Sequence, residues 1–320
     1  MKKFIAIIIS AVLFVTAFAS CGSASESDNS MSSDKLKIVT TIFPQYDFAR
    51  QIGGDKIELT QLLPLGSESH GYEPTVSDLS VIGQSDIFIY VGGESEPWVE
   101  STLKALKGTK TVAISLLDII DPYEEITVPG MQENEEENEE SSDKKEYDEH
   151  VWTSPKNAVK ISEEICDAMC SADKANAQTY KSNLNDYISK LTALDNEFSN
   201  IVSTAKRRQI VVSDRFPFRY LCEEYGLTYS AAFAGCSSNT EPSLATVSFL
   251  ISTVKENHIP YVFYIEFSDK STAKSISKAT GCKTLRLHSC HNVSEKDFAD
   301  GATYLSLMEK NAENLKEALN

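Results

Sequence analysis

Apolar residues fall along this chain in two rhythms. Short β-branched or aromatic runs at 37–42, 57–63, 86–91 and 111–116 alternate with segments at 46–52, 76–84 and 98–106 that have helical spacing. The alternation predicts a parallel sheet with crossover helices. The same layout then recurs, with strands at 209–213, 227–232, 261–266 and 283–288, helices at 218–225, 244–257 and 270–280, and a closing helix over about 298–319. Between the two halves, residues 154–205 are rich in Ala, Lys, Asn, Leu and Glu and have no proline after Pro155. Ser154-Pro155 reads as a helix start, with the hydroxyl as cap and proline where no backbone donor is needed. Tyr187, Leu191, Leu194 and Phe198 then repeat at three- and four-residue steps, as one buried helix face requires. A helix of about thirty residues would rise roughly 45 Å.

The fold class expected is therefore α/β: two Rossmann-like lobes, each a mostly parallel four-stranded sheet with flanking helices, joined by a long backbone helix. The limits read as an N-terminal lobe at 36–170, a linking helix at 171–206 and a C-terminal lobe at 207–320. Ahead of them, Lys2 and Lys3 precede an apolar run from Phe4 to Ala19, then Ser20-Cys21 and a Ser-, Gly- and Asp-rich stretch to Asp34. This reads as a signal peptide over 1–20 and a flexible tether over 21–35. The segment resembles a bacterial lipoprotein signal with Cys21 as the lipidated residue, although Phe18 stands where leucine is usual. The competing reading, cleavage after Ala17-Phe18-Ala19, releases a soluble protein. No later stretch is long and apolar enough to span a bilayer. The expected product is an extracytoplasmic monomer, anchored to the cell membrane through an acyl chain on Cys21.

A formal net charge of −17 argues against nucleic acid or anionic lipid headgroups as partners and is compatible with cations. Part of the excess lies in QENEEENEESSDKKEYDE, so an acidic loop is expected over about 131–149, either a solvated insertion or a gatherer of cations. Six cysteines besides Cys21 permit disulfides without selecting a pairing. Cys166 and Cys170 have the spacing of ordinary helix packing, and no CxxC pair marks a zinc ribbon.

Three of the five histidines stand in polar segments at or behind predicted strands: His70 in SESHGYEPT, His150 in EYDEHVWTSPKN and His288 in LRLHSCHN. Neutral imidazole is the commonest protein ligand for transition metals, and strand-end loops are where α/β folds gather residues distant in sequence. That placement points to a metal site assembled by folding.

HGYEPT (70–75), DEHVWTSPKNA (148–158), RYLCEEYGL (219–227), TEPS (240–243) and YIEFSDKSTAKSISKATG (264–281) resemble, in order and spacing, the zinc- and manganese-type solute-binding lipoproteins of bacterial ABC importers. The resemblance covers nearly all of the mature chain. It implies two lobes holding one metal in their cleft, delivery to an ABC-transporter membrane permease, and His70 and His150 as the N-lobe ligands, with Trp152 and Pro155 completing the pattern around His150. Arg215 falls where the family has its third ligand, and a protonated guanidinium has no lone pair to give. The neighbouring Asp214 takes that place, and His288 aligns with the fourth ligand. The expected set is His70, His150, Asp214 and His288, with Cys290 and His291 as alternatives. Three imidazoles and a carboxylate suit four-coordinate Zn2+ better than Mn2+ or Fe2+. A secreted zinc hydrolase would need a general base and an open coordination position. No HExxH is present, Glu241 reads as a helix-start residue and Glu266 as a strand-end hydrogen-bonding partner, so no enzyme is expected. A metal-binding adhesin would share all of these features.

Overall fold

The computed structural model describes residues 35–68, 71–132, 145–237 and 241–320. Cys21, His70 and most of the acidic run lie outside the described residues. The first lobe contains β1 (Leu36–Thr40), α1 (Phe43–Gly53), β2 (Ile57–Gln61), α2 (Val76–Gly83), β3 (Ile87–Tyr90), α3 (Val99–Ala105), β4 (Val112–Ser115) and α4 (Leu116–Ile119). Its sheet runs β2-β1-β3-β4 with every pairing parallel. After α5 (Pro155–Ala172) and α6 (Ala177–Ser203) come β5 (Gln209–Phe216), α7 (Arg219–Tyr225), β6 (Thr228–Ala234), α8 (Leu244–Glu256), β7 (Tyr261–Tyr264), α9 (Ser271–Thr280), β8 (Lys283–Arg286), α10 (Glu295–Ala299) and α11 (Tyr304–Leu319). The second sheet runs β6-β5-β7-β8, again wholly parallel.

The two sheets share one winding. In each, the chain leaves the first strand toward one side and returns to pair on the other, so the loops after β1 and β3, and after β5 and β7, diverge. A crevice at such a switch point is where open α/β sheets take their ligands.

The linking helix expected at 171–206 is α6, and the helix that starts at Ser154-Pro155 is a separate one, α5. Asp173, with φ −127° and ψ 81°, turns its carboxylate onto the backbone and amide of Asn176 (3.3 and 2.7 Å) and the hydroxyl of Tyr180 (2.8 Å). That local competition for backbone donors ends α5 and lets α6 restart without any proline or glycine. The expected closing helix also divides, because Gly301 at φ +85° breaks it and Thr303 caps α11 afresh.

One continuous core spans both lobes, from Leu36 through Phe48, Trp152, Tyr187 and Phe198 to Tyr304 and Leu319. Helix α11 packs on α6 and α1, so the last part of the chain closes over the first lobe. Tyr304 meets Phe48 edge to face at 4.9 Å, its backbone N–H donates to Asp47 Oδ2 (2.7 Å) and its hydroxyl donates to the Trp152 carbonyl (2.6 Å). Six described cysteines are all unpaired, Cys166 and Cys170 sulfurs standing 3.8 Å apart. Among the described residues no helix is long and apolar enough to cross a membrane.

Candidate metal centre

His150 opens the short turn Val151–Thr153 that leads to the Ser154 cap of α5. It is almost wholly buried. Asp148 Oδ1 accepts the His150 backbone N–H at 2.8 Å and stands 3.1 Å from its Nδ1. A proton on Nδ1 shared with that carboxylate leaves the lone pair on Nε2, the arrangement in which imidazole binds a metal. Burial pushes His150 toward the neutral form, but the carboxylates of Asp148, Glu125 and Glu149 together outweigh it and hold the imidazole above its ordinary pKa. From the second lobe, Gly235 packs so close that a Cβ there would lie 2.9 Å from the Phe216 carbonyl and 3.1 Å from His150 Cε1. Residues 131–132 and 145–149, expected in a loose acidic loop, are in part fastened. Gln132 pairs with Phe233 and its N–H donates to the Ala232 carbonyl, Glu124 pairs with Tyr147, and Asp148 and Glu149 are buried.

The segment after β8 supplies the second imidazole. His288 is turned inward: Asn311 accepts its backbone N–H at 2.7 Å and donates to its carbonyl at 2.7 Å, while its Nδ1 accepts the Cys290 N–H at 2.9 Å. Burial lowers its pKa, partly offset by Glu266. Cys290 adopts φ +62° with its thiol buried and pushed well above the usual range by burial, which disfavours the thiolate a metal requires. The left-handed residue reverses the chain, and His291 emerges in the cleft. Its ring meets His150 at 5.4 Å and 90°, and Trp152 at 5.2 Å. Two imidazoles bonded to one tetrahedral zinc at about 2.0–2.1 Å place their ring centres about 5 Å apart.

Hydrogen bonds fix this loop from all sides. Trp152 Nε1 donates to the Ser289 carbonyl (2.8 Å), and Glu266 accepts both the N–H (2.8 Å) and the hydroxyl of Ser289. Asn292 Nδ2 donates to the carbonyls of Pro64 (2.7 Å) and Ser67 (2.9 Å), and Gly66 N–H donates to the Val293 carbonyl (2.8 Å). The strand-end loop that leads to His70 therefore rests on the loop that carries His291. His70 itself lies outside the described residues.

His150 and His291 line a cavity of about 20 Å³ with Glu68, Arg215, Gly235 and Asn292. That is room for one water-sized particle or one ion. Ile265 and Glu266 of the second lobe line it too, and a second small cavity, lined by Thr41, Val91 and Glu96 of the first lobe, shares His291 with it.

The expected foursome is not what the described residues bring together. Asp214 accepts from the Ser268 hydroxyl (2.8 Å) and the Ile265 N–H (3.2 Å), and with Glu241 and Asp269 it lines an adjoining, wider cavity of about 350 Å³ that His150 and His291 do not line. His288 faces the core. Arg215, beside Asp214, crosses the cleft to Glu68 at 2.6 Å. Among the described residues no group of three or more ligating side chains converges; the pair that does is His150 and His291. From the sequence His291 stands only as an alternative, Ser289 and Asn292 are signalled only by the density of polar residues in HSCHN, and Asn311, inside α11, has no signal at all.

Comparison with known proteins bears on the whole chain. A zinc-binding lipoprotein, AdcA, of Streptococcus pneumoniae is 34% identical over 293 residues, covering 91% of this chain and 57% of that protein, so the chain spans little more than half of that relative. The high-affinity zinc uptake system protein ZnuA of Bacillus subtilis is 30% identical over 321 residues, covering 99% of this chain and 98% of that one. The crystal structure of the Zn(II)-bound ZnuA-like domain of Streptococcus pneumoniae AdcA superposes with a TM-score of 0.73 at 33% identity, covering 89% of this chain and 99% of that one. With residues 38–318 matching the family model described as ZnuA, zinc-uptake complex component A, periplasmic, the chain belongs to that family.

Proposed function

We propose that this chain is an extracytoplasmic binding protein that captures one Zn2+ in the cleft between its lobes and delivers it to the membrane permease of an ABC-type importer. The observation that carries the reading is the pair His150–His291, two imidazoles 5.4 Å apart at a one-ion cavity, the first with its Nδ1 held by a carboxylate. His70 is the third ligand, on the loop that Asn292 fastens. His288 and Asp214 act as positioning groups, and the Cys290 thiol stays in the core. An all-imidazole set favours zinc over manganese, which prefers oxygen donors and six-coordination. The chain works as a monomer, tethered by a lipid on Cys21.

Metal analysis of protein purified without chelator, with a competition titration against a zinc-selective dye, tests the reading. One tightly held zinc per chain is expected. Manganese or iron in its place, or no stoichiometric metal, overturns it. Separately, Cys21→Ser is expected to move the protein from the membrane fraction to the soluble one with zinc binding unchanged.

A further inference from the structure

Arg215 stands where the family resemblance implies a metal ligand, yet a guanidinium has no lone pair to donate. It still belongs to the centre, because it lines the same one-ion cavity as His150 and His291 from the end of β5. One of its N–H groups goes to Glu68 Oε2 at 2.6 Å and one to the Ser237 carbonyl at a long 3.4 Å, which leaves further donors of the fork without a partner among the described residues. A guanidinium and a dication on one small cavity repel each other unless an anion lies between them.

Beside the arginine there is room for more than an ion. The cavity of about 350 Å³ shares Glu68, Arg215, Ile265, Glu266 and Phe267 with the one-ion cavity, so the two adjoin. Its volume lies at the lower end of the roughly 300–1,000 Å³ of small-molecule sites. Its charges are divided: Arg215 is on the shared wall, whereas Asp214, Glu241 and Asp269 line only the wider cavity. The buried ring of Phe233 gives it an apolar side. Phe267, held at φ +60°, a conformation that bulky side chains avoid, brings a second ring to the shared wall. A cationic fork at one side and carboxylates at the other fit a zwitterion. A dicarboxylate would meet the acidic wall, and a simple amine would meet the arginine.

We propose that the chain takes its zinc together with an α-amino acid, whose carboxylate bridges the ion and Arg215 and whose ammonium group lies toward Asp214 and Glu241. The inference rests on the zinc reading given above and deepens it. Three imidazoles from the chain leave one bond of a tetrahedral ion for another donor, and a carboxylate oxygen is an ordinary zinc ligand. One oxygen would bind the ion while the other accepts from the guanidinium, whose planar fork suits a carboxylate. The cargo is then a complex of ion and amino acid, and Arg215 sets its specificity.

The test uses the full chain, stripped of metal and reloaded with one equivalent of zinc, in equilibrium dialysis against radiolabelled L-alanine, with zinc content measured in the same samples. The zinc-loaded parent is expected to retain one alanine per chain and the metal-free parent none. Arg215→Met is expected to weaken alanine about tenfold or more while zinc stays bound. Arg215→Lys keeps the charge and loses the fork, so it is expected to fall between the two, and it decides the matter should the Met variant not fold. Glu241→Gln, at an exposed position, is expected to weaken alanine a few-fold, and acetate, which lacks the ammonium group, to compete poorly. Zinc bound at one per chain with no alanine retained overturns the amino-acid proposal and leaves the zinc reading standing. Equal retention with and without zinc, or retention unchanged in the Arg215 variants, overturns it as well. Acetate that competes as well as unlabelled alanine, with Glu241→Gln unaffected, overturns the zwitterion. A parent that binds no zinc overturns the zinc reading and this inference with it.

Discussion

The two lobes wind their sheets in the same order yet contribute unlike groups to the cleft. The first offers His150, an imidazole oriented by Asp148. The second, at the end of its central strand β5, presents Asp214 bonded to Ser268 and Ile265, and Arg215 reaching across to Glu68. Its imidazole comes from the far edge, after β8, by way of the reversal at Cys290. Topology thus decides where strand ends converge, while local hydrogen bonding decides which of the residues there face the cleft. At the end of β5 a cross-cleft ion pair stands where the family resemblance implies a ligand.

The strongest way to break this comparison is to remove its donors. His150→Ala and His291→Ala are expected to cut zinc affinity far beyond the roughly 10–100-fold that outer hydrogen-bonding partners carry, whereas Asp214→Ala stays within a few-fold. Titration against a competing chelator reads all three. A loss at Asp214 equal to those at the histidines would return the carboxylate to the metal.

Next in size is an effect confined to the first lobe's switch point. Burial pushes Glu96 up to about 7, even though it accepts the Val91 and Gly92 N–H groups at 2.9 and 3.2 Å. Between the carboxylate's ordinary pKa and that value the folded chain holds a proton that the unfolded chain has released, so stability falls as pH rises through this window, by on the order of 3 kcal/mol at most. Glu96→Gln is expected to flatten the slope and to raise the urea midpoint at pH 8 but not at pH 4.5. An unchanged slope would show that Glu96 does not carry it.

Trp152→Phe sharpens the link between the two histidine loops. Losing the Nε1 bond leaves the Ser289 carbonyl unpaired in the core, a cost of about 1–3 kcal/mol, and frees His291 to tilt. Lower thermal stability with roughly tenfold weaker zinc binding, about 1.4 kcal/mol, is expected; a stability change with unaltered affinity would mean that the loop holds its shape without Trp152. The smallest effect belongs to the ion pair across the cleft. Glu68 is nearly half exposed, so its coupling to Arg215 is worth about 0.5–1 kcal/mol. Arg215→Met and Glu68→Gln are each expected to speed zinc release a few-fold, with the double variant no faster than either. Additive effects in that cycle would show that the two groups act separately.

Much of the fold could be read from the residues because the apolar rhythm is long and repeated. IFIY at 87–90 and VVS at 211–213 lie in parallel strands buried within their sheets, and their β-branched and aromatic runs announce it. The breaks at Asp173 and Gly301 were harder, since each depends on a few side-chain bonds rather than on periodicity. The site was legible in part. His150 was marked by its neighbours, but choosing between His288 and His291 required knowing that Asn311, 23 residues further along, captures the backbone of the first. Spacing alone does not reveal a left-handed cysteine that turns one histidine to the core and its near neighbour to solvent.

The hydroxyl of Tyr304 on the Trp152 carbonyl has a consequence for timing. During synthesis or export the segments bearing residues 64–68 and 148–152 emerge long before 288–292 and 304, yet the cleft is complete only when all four have met. Contacts of such long sequence separation form late, after most of the loop-closure entropy has been overcome. On the proposed site, a nascent chain would carry His150 without His291 to complete the pair, and ion capture would wait on the final docking of α11. A weakened contact at Tyr304 would thus appear as slow acquisition of zinc by newly made protein, even where the mature protein binds normally.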